Sequence, residues 1–190
     1  MGFESAQNGY QKLKGADTLA LTRELQSHGI CVQGSTIVGM EHHTPDRLQE
    51  DIEHAVAHDA DCHQFMLYTP VPGTPLYKEM ESQGRILHEV DLADIHGQFK
   101  FNFRHAHIGR DDSKSLLDEA FRRDFEVNGP SLFRIMRTTF QGWKRYGQDV
   151  DARVRSRFAG VTGALKYGYG AMLWAMERYL RDSNQEVSER

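Results

Sequence analysis

The feature that most constrains the fold is the alternation of strand-like and helix-like segments through the first half of the chain. Residues 30–38 (ICVQGSTIV) and 63–68 (HQFMLY) are rich in the β-branched and aromatic residues typical of buried strands. Residues 2–4 are predicted to end an earlier strand. Helical patterns separate and follow these strands, at residues 6–14, 16–28, from Pro45 onward and at 75–83. Strands joined by helices of this length pair in parallel, so the sequence predicts an α/β fold.

Local signals place the ends of these helices. Gly29 and Gly84 follow the last apolar positions of two of them, as helix-terminating glycines do. Thr44 is a favourable N-cap, and Pro45 suits the first helical position. The helix that begins there carries one apolar face, formed by Leu48, Ile52, Ala55 and Val56.

Three parallel strands are too few to cover themselves, because parallel sheets are normally buried on both faces. Two interpretations stay open at this point. The chain is the back half of a larger α/β sheet or barrel, or it is a small three-stranded domain whose edge the C-terminal helices cover.

Composition excludes several classes of protein. The 39% of apolar residues is enough for a core, and no run of 18 uncharged apolar residues exists to span a membrane. No secretory signal is visible at the N-terminus. Cys31 and Cys62 are the two cysteines, too few for a disulfide framework or for a cluster held by this chain's own thiolates. We therefore expect a cytoplasmic protein.

Charge is distributed unevenly along the chain. Residues 1–103 carry a net charge of −8 and residues 104–190 a net charge of +4. This asymmetry predicts two units with different partners. We place the first at residues 1–95 and a second, with an edge strand and helices, at 96–181, followed by a disordered tail at 182–190.

Polar or small residues follow each predicted strand, where ligands of parallel α/β proteins bind. They are Glu4 and Ser5, Gly39 and Glu41, and Tyr68 and Thr69. Each of these, taken singly, also suits a plain helix cap.

Three segments together resemble the second half of the radical S-adenosylmethionine (radical SAM) barrel. They are GFES at 2–5, GICVQGSTIVGMEHHTPD at 29–46 and HQFMLYTPVPGTPLYKEMESQGRI at 63–86. The middle segment is similar to the family's glycine-rich fifth-strand motif, and the last to a stretch common in its cobalamin-binding branch. The resemblance implies a partial parallel (β/α) barrel, its last three strands, followed by an α-helical C-terminal region.

The resemblance also implies an S-adenosylmethionine pocket. Glu4 and Ser5 would lie near the ribose and methionine of the cofactor. Gly34, Ile37 and Gly39 would form the strand against which adenine packs, Glu41 would fix the next loop, and Tyr68 with Thr69 would close the adenine side. Glycine on this strand suits a planar base that approaches the backbone. The alternative for Gly34 is a β-bulge.

The sequence departs from the family in one decisive respect. The CxxxCxxC loop that holds the four-iron four-sulfur cluster is absent, as is any upstream cobalamin-binding domain. We therefore expect the C-terminal fragment of a radical SAM enzyme, inactive alone and completed by an N-terminal half of the barrel in the same or another chain. The parent would cleave S-adenosylmethionine reductively for radical methylation or rearrangement of a small or lipid-like substrate.

Ten histidines support a rival hypothesis, a metal hydrolase. His42 and His43 lie in a predicted ligand loop after a strand. His54 and His58 share a helix face at the spacing of metal-binding pairs. That face is not the apolar one, so solvated surface histidines are the expectation for the pair.

Residues 98–103 (QFKFNF) alternate phenylalanine with polar residues, which predicts an edge strand whose Lys100 and Asn102 face water. Its flanks could reach a substrate through His96, Gln98, Arg104 and His105. A plain edge strand is the alternative.

Helices are predicted after this strand, at 113–127 and from Ser131, which we expect to be an N-cap. Leu132, Met136, Phe140 and Trp143 form a stripe typical of core packing. Residues 134–157 hold seven Lys and Arg among aromatic residues, a footprint of RNA or a membrane surface, or else a solvated basic face. This contact defines the second hypothesis, a non-catalytic binding module. Residues 158–176 are apolar and glycine-rich, and the sequence does not decide whether they pack, dimerise or lie at a lipid interface.

Overall fold

The structure is a computed structural model that describes residues 1–3 and 15–160, with isolated helical positions at 163, 168, 170, 174, 175 and 178. The described residues form a helix-rich mixed α/β fold, which confirms the predicted class. Its elements are α1 (Thr18–Ser27), β1 (Gln33–Val38), α2 (Pro45–Val56), β2 (Cys62–Leu67), α3 (Pro75–Ser82), a 3-10 turn (Leu92–Asp94), α4 (Arg110–Asn128) and α5 (Ser131–Tyr146). Residues 152–160 are also helical. The predicted helix at 6–14 and the tail at 182–190 lie outside the described residues.

The two strands pair in parallel, as predicted from the helix between them. Their register runs from Gln33 beside Cys62 to Val38 beside Leu67. On the other edge of β1, Phe3 donates its backbone N–H to the carbonyl of Ser35 at 3.0 Å, which makes a single parallel bridge. The third predicted strand is thus one bridge among the described residues. Two strands and a bridge do not by themselves establish a barrel.

The predicted helix ends are largely those of the structure. Gly29 and Gly84 both adopt positive φ, +71° and +65°, directly after α1 and α3. Thr74 caps α3, because its hydroxyl accepts the N–H of Tyr77 at 3.2 Å. The prediction for Ser131 is wrong: Pro130 is the N-cap of α5, and the Ser131 hydroxyl accepts a hydrogen bond from Arg134 instead.

The sheet has one buried face and one half-exposed face. The buried face carries Gly34, Thr36, Val38, His63, Phe65 and Leu67. Side chains of α2 and α4 pack on it, because Leu48, Ile52, Leu117 and Ala120 share one core with Val38 and Phe65. The opposite face, hereafter the open face, carries Gln33, Ser35, Ile37, Cys62, Gln64 and Met66, all exposed or half-buried.

The core crosses the predicted boundary between residues 95 and 96. Phe101 and Phe103 are buried in the same cluster as Val38 and Phe65. Their segment makes one antiparallel bridge, from Phe103 to Ile86, rather than a strand. The prediction that Asn102 faces water is wrong: it is buried, and its side-chain amide donates to the carbonyl of Pro70 at 2.8 Å.

The α5 helix is turned differently from the prediction. Met136 is buried, but Leu132, Phe140 and Trp143 are 52%, 46% and 41% exposed. The buried side of α5 instead carries Arg134, Thr138, Thr139 and Gly142. The stripe predicted for the core is therefore mostly on the surface.

Candidate functional site

The chain turns sharply where β1 ends, in the loop of residues 39–43 (GMEHH), hereafter the β1 loop. Gly39 has φ +76°, a conformation that L side chains rarely adopt. A Cβ atom on Gly39 would lie 2.4 Å from Cζ of Phe101. Glycine is required here both by the backbone and by the aromatic ring that covers it.

His43 fastens the β1 loop from inside. Its Nδ1 accepts the backbone N–H groups of Gly39 and Met40, both at 3.2 Å. Because Nδ1 accepts, the ring proton is on Nε2, which lies 2.9 Å from Oδ2 of Asp51 on α2. His43 is fully buried, so the pair holds the loop against α2. Across the described ranges, no group of three or more His, Cys, Asp or Glu could hold a metal ion.

His105 fastens the same loop from the other side. Its Nε2 donates to the carbonyl of Met40 at 2.9 Å, while Nδ1 accepts the N–H groups of His107 and Ile108. The ring stacks on Phe101 with centroids 5.4 Å apart. Burial lowers the pKa of His105 below its ordinary value, which keeps this neutral form. Both ring nitrogens are engaged, so His105 positions the loop.

Glu41, at the tip of the loop, forms an ion pair with Arg85, which follows α3. The Glu41 side chain is exposed. The loop is therefore held by residues from three separate parts of the chain.

Gln98 and its neighbours occupy the far edge of β2. The side-chain amide of Gln98 donates to the carbonyl of Phe65 at 2.6 Å, and the carbonyl of Gly97 accepts the N–H of Leu67 at 2.8 Å. His96 is exposed, and its Nδ1 accepts the N–H of Gln98 at 3.2 Å. Gln98 thus has a structural partner in the backbone of β2, whereas His96 contacts the backbone of its own loop.

Tyr68 and Thr69 follow β2. The Tyr68 ring packs against the core and meets Phe103 edge to face at 6.1 Å. The Thr69 hydroxyl donates to the carbonyl of Leu67 at 2.8 Å. Thr69 is half-buried, while Tyr68 points its ring toward the core.

Gly34 and Ile37 lie on opposite faces of β1. A Cβ on Gly34 would lie 2.2 Å from the ring of Phe3, so a planar ring does approach the backbone there, and it belongs to this chain. Ile37 is on the open face and 37% exposed. Glu4 and Ser5 lie outside the described residues.

A group of histidines around Phe3 was missed by the sequence reasoning. His58 stacks on the Phe3 ring at 3.8 Å, and its Nδ1 donates to the carbonyl of His54. His58 is buried, so the expectation of a solvated surface residue is wrong for it. His63 meets Phe3 edge to face, and burial lowers its pKa to about 4. The alternation of β2 was the available signal, because it puts His63 beside Phe65 on the buried face.

The cysteines do not suit an iron–sulfur cluster. Cys31 is exposed and lies beside α5, 3.7 Å from the Thr139 hydroxyl, whereas Cys62 is half-buried on the open face. Burial raises the pKa of the Cys31 thiol, which disfavours the thiolate that binds iron. Two thiols do not fit a four-iron cluster, which ordinarily takes several Cys ligands.

Two surface clefts accompany α5. One of about 490 Å³ lies at its C-terminal end, lined by Trp143, Lys144, Arg145 and residues 147–149. The other, of about 230 Å³, lies between α1 and α5 and includes Arg23 and Arg137. Neither cleft is lined by a residue of the β1 loop.

Comparison of the chain with models of protein families, with curated proteins and with solved structures finds no match. Within the part of the chain that the structure describes, no helix combines the length and apolar character needed to cross a membrane.

Proposed function

We propose that this chain supplies the adenosine-binding wall of a radical SAM-type barrel whose remaining strands and iron–sulfur cluster come from a separate segment. The proposal rests on the resemblance of residues 2–5, 29–46 and 63–86 to the second half of that barrel. One observation carries it furthest: within the described residues, helices pack on one face of the parallel sheet only, and the open face is exposed or half-buried and mixes polar with apolar side chains.

One-sided coverage is unusual for parallel strands, which are normally buried on both faces. In a (β/α) barrel the helices cover the outer face, and the inner face is enclosed when the remaining strands close the ring. The open face of β1 and β2 corresponds to that inner face in the proposal. Its side chains combine amide, hydroxyl and thiol groups with the apolar Ile37 and Met66, a mixture that suits a ligand-lining surface.

Within this proposal, Ile37 offers an apolar surface for a flat base, with Ser35 beside it on the same face. Thr69 and the β1 loop stand at the carboxyl ends of the two strands, where ligands of parallel α/β proteins bind. Glu41 and His105 keep the loop in place through Arg85 and the carbonyl of Met40. Phe3 and Phe101 occupy the space over Gly34 and Gly39, so those glycines shape the wall rather than touch the base.

The iron–sulfur cluster is assigned to the separate segment, because the thiols of this chain do not fit it. When present there, the cluster would deliver the electron for cleavage of S-adenosylmethionine. No residue of this chain is assigned to cobalamin. The chain's own work is to bind and orient the adenosine and to exclude water from one side of the site.

Titration of the isotopically labelled full chain with S-adenosylmethionine, followed by nuclear magnetic resonance, tests the binding wall. We expect weak binding, with shifts confined to Ser35, Ile37, Met66 and Thr69. The Ile37→Lys variant should abolish these shifts, whereas Val71→Lys, an exposed position in the turn before α3, should not. Shifts that avoid the open face, or micromolar affinity for the chain alone, would contradict the proposal.

Capture of the chain's native complex tests the second half of the proposal. The tagged chain, purified from its own host without oxygen, should retain a segment with a CxxxCxxC sequence and visible iron–sulfur absorbance. A chain that purifies without such a segment, and whose genomic neighbourhood encodes none, would refute the shared barrel.

A further inference from the structure

The surface of α5 suits a different kind of partner from the open face of the sheet. We propose that α5 docks the protein on an anionic phospholipid bilayer through the α5 stripe, defined as Leu132, Phe140 and Trp143 with the adjoining Lys144 and Arg145. This inference is independent of the adenosine-binding wall and would hold if that proposal failed.

The first argument is the orientation of the helix. Arg134, Thr138 and Gly142 recur every four residues and form the side that packs on the protein. Leu132 and Trp143 are separated by 11 positions, close to three turns, so they lie on one line about 16 Å apart on the exposed side. The Phe140 ring stacks on Trp143 with centroids 5.6 Å apart. A helix that buries polar residues and presents large apolar ones is built to dock on an apolar layer.

The second argument is the location of unneutralised charge. Three of the seven basic residues between 134 and 157 already pair with carboxylates, as Arg134 with Asp124, Arg137 with Asp59 and Arg153 with Asp151. Lys144 has no carboxylate partner among the residues that the structure describes, and Arg145 donates to the carbonyl of Ser27 and lies over the Tyr146 ring. Among the described residues, Lys144 and Arg145 carry unpaired charge beside Trp143 in the last turn of α5, and Arg155 and Arg157 add to it from the helical segment 152–160 that follows.

This arrangement favours a bilayer over RNA. Affinity for a nucleic acid grows with the number of phosphates that Lys and Arg neutralise, and three of the seven basic residues here are already paired with carboxylates of this chain. Three large apolar side chains would gain little from a phosphate backbone. At a membrane surface they enter the acyl boundary, while nearby cations meet the anionic headgroups.

The cleft of about 490 Å³ at the end of α5 completes the surface. Trp143, Lys144 and Arg145 line it together with Asp149, whose carboxylate is engaged by the N–H of Asp151 at 2.8 Å. An indole beside two cations is the combination found where proteins meet lipid headgroups. We infer that this cleft admits the phosphate region of an anionic lipid when the stripe inserts.

Flotation of the full chain with vesicles tests the proposal. We expect binding to phosphatidylcholine vesicles that contain phosphatidylserine and much weaker binding to pure phosphatidylcholine. The Lys144→Gln/Arg145→Gln variant should bind about 30-fold more weakly, since each basic residue contributes about fivefold at such a surface. The Leu132→Ala/Trp143→Ala variant should lose at least about tenfold.

The matched control is Lys78→Gln/Leu92→Ala, which removes one exposed cation and one exposed apolar side chain far from α5 in sequence. It should bind like the unaltered chain, and circular dichroism should show that every variant is folded. Equal binding to neutral and anionic vesicles, or stripe variants that bind as well as the control, would overturn the proposal. A chain that does not float with either kind of vesicle would also overturn the proposal. The α5 stripe would then be covered by a second copy, an RNA or the chain's own C-terminal residues.

Discussion

Arg134 and Asp124 form a two-pronged ion pair that joins α5 to α4. Nη1 of Arg134 lies 3.0 Å from Oδ1 of Asp124, and Nη2 lies 2.6 Å from Oδ2. The two residues are 1% and 5% exposed, so both charges are withdrawn from water. A buried charge needs its partner, and this pair therefore fixes which side of α5 faces the protein.

We predict that Arg134→Met lowers the free energy of unfolding by about 3–5 kcal/mol, because it leaves the Asp124 carboxylate buried and unpaired. The double variant Arg134→Met/Asp124→Leu should recover most of that loss. Urea unfolding followed by circular dichroism measures both. The control is Arg153→Met, whose ion pair with Asp151 is exposed and should contribute less than about 1 kcal/mol. Equal losses for Arg134→Met and the control would show that the buried pair is unimportant.

We predict that Gly39→Ala destabilises the fold by about 2–4 kcal/mol. The left-handed backbone costs about 1 kcal/mol for a residue with a side chain, and the clash with Phe101 adds the rest. Gly73 has φ +89° and no atom within 4 Å of an added Cβ, so Gly73→Ala should show the backbone cost alone. Phe101→Leu should reduce the difference between the two alanine variants. If both variants unfold at the same urea concentration, the ring does not constrain the β1 loop.

The free energy of unfolding should fall as the pH drops through the range in which His63 titrates. Burial lowers the folded-state pKa of His63 to about 4 from the ordinary value of 6.5. The unfolded chain therefore binds a proton at this residue first, and the folded state loses stability between pH 6.5 and about 4. The loss from His63 is at most roughly 3 kcal/mol.

His63→Leu should flatten this part of the stability curve, measured by urea unfolding at a series of pH values. Gln64 follows His63 on β2 and has no titratable side chain, so Gln64→Leu provides the comparison and should leave the slope nearly unchanged. A slope that is the same in both variants would assign the acid sensitivity to other groups.

The Cys31 thiol should react slowly with alkylating reagents although the residue is exposed. Burial of the sulfur raises its pKa, and the hydrogen bond with Thr139 partly offsets that rise. Thr139→Val should therefore raise the pKa of Cys31 further. The pH dependence of iodoacetamide alkylation in a Cys62→Ser background measures the pKa of Cys31 with and without the Thr139→Val substitution. A pKa at or below that of a cysteine in a short peptide would contradict the prediction.

Local signals were sufficient to predict most of the elements. Gly29, Pro45 and Gly84 act through their own backbone preferences, so the ends of three helices could be read without knowledge of tertiary contacts. The parallel pairing followed from the helix between the strands. These effects act between residues close together in the chain, so a single sequence is enough to predict them.

The orientation of α5 could not be predicted in the same way. Leu132, Phe140 and Trp143 form the more apolar stripe, but the buried side is decided by Arg134 and its partner on α4. Asp124 is ten residues away, and nothing in the spacing of charges marks the pair as buried. Apolar periodicity identifies a helix more reliably than it identifies the face that packs.

The candidate site shows the same limit. For the glycines at positions 34 and 39, the sequence led to the expectation that an adenine base packs against the backbone. The rings over them are Phe3 and Phe101, and the second lies more than sixty positions along the chain. Whether a ligand or a side chain fills such a space depends on contacts that only the folded structure contains.

The core that crosses residue 95 has a consequence for the protein's synthesis on the ribosome. When both strands have emerged from the ribosome, Phe101, Phe103 and all of α4 have not, and the apolar side of Phe65 and Val38 lacks the cover that they provide. Nascent sheets with uncovered apolar surface are prone to aggregation. The interval between β2 and the end of α4 is therefore the stage at which this chain most needs a chaperone or slow, uninterrupted translation.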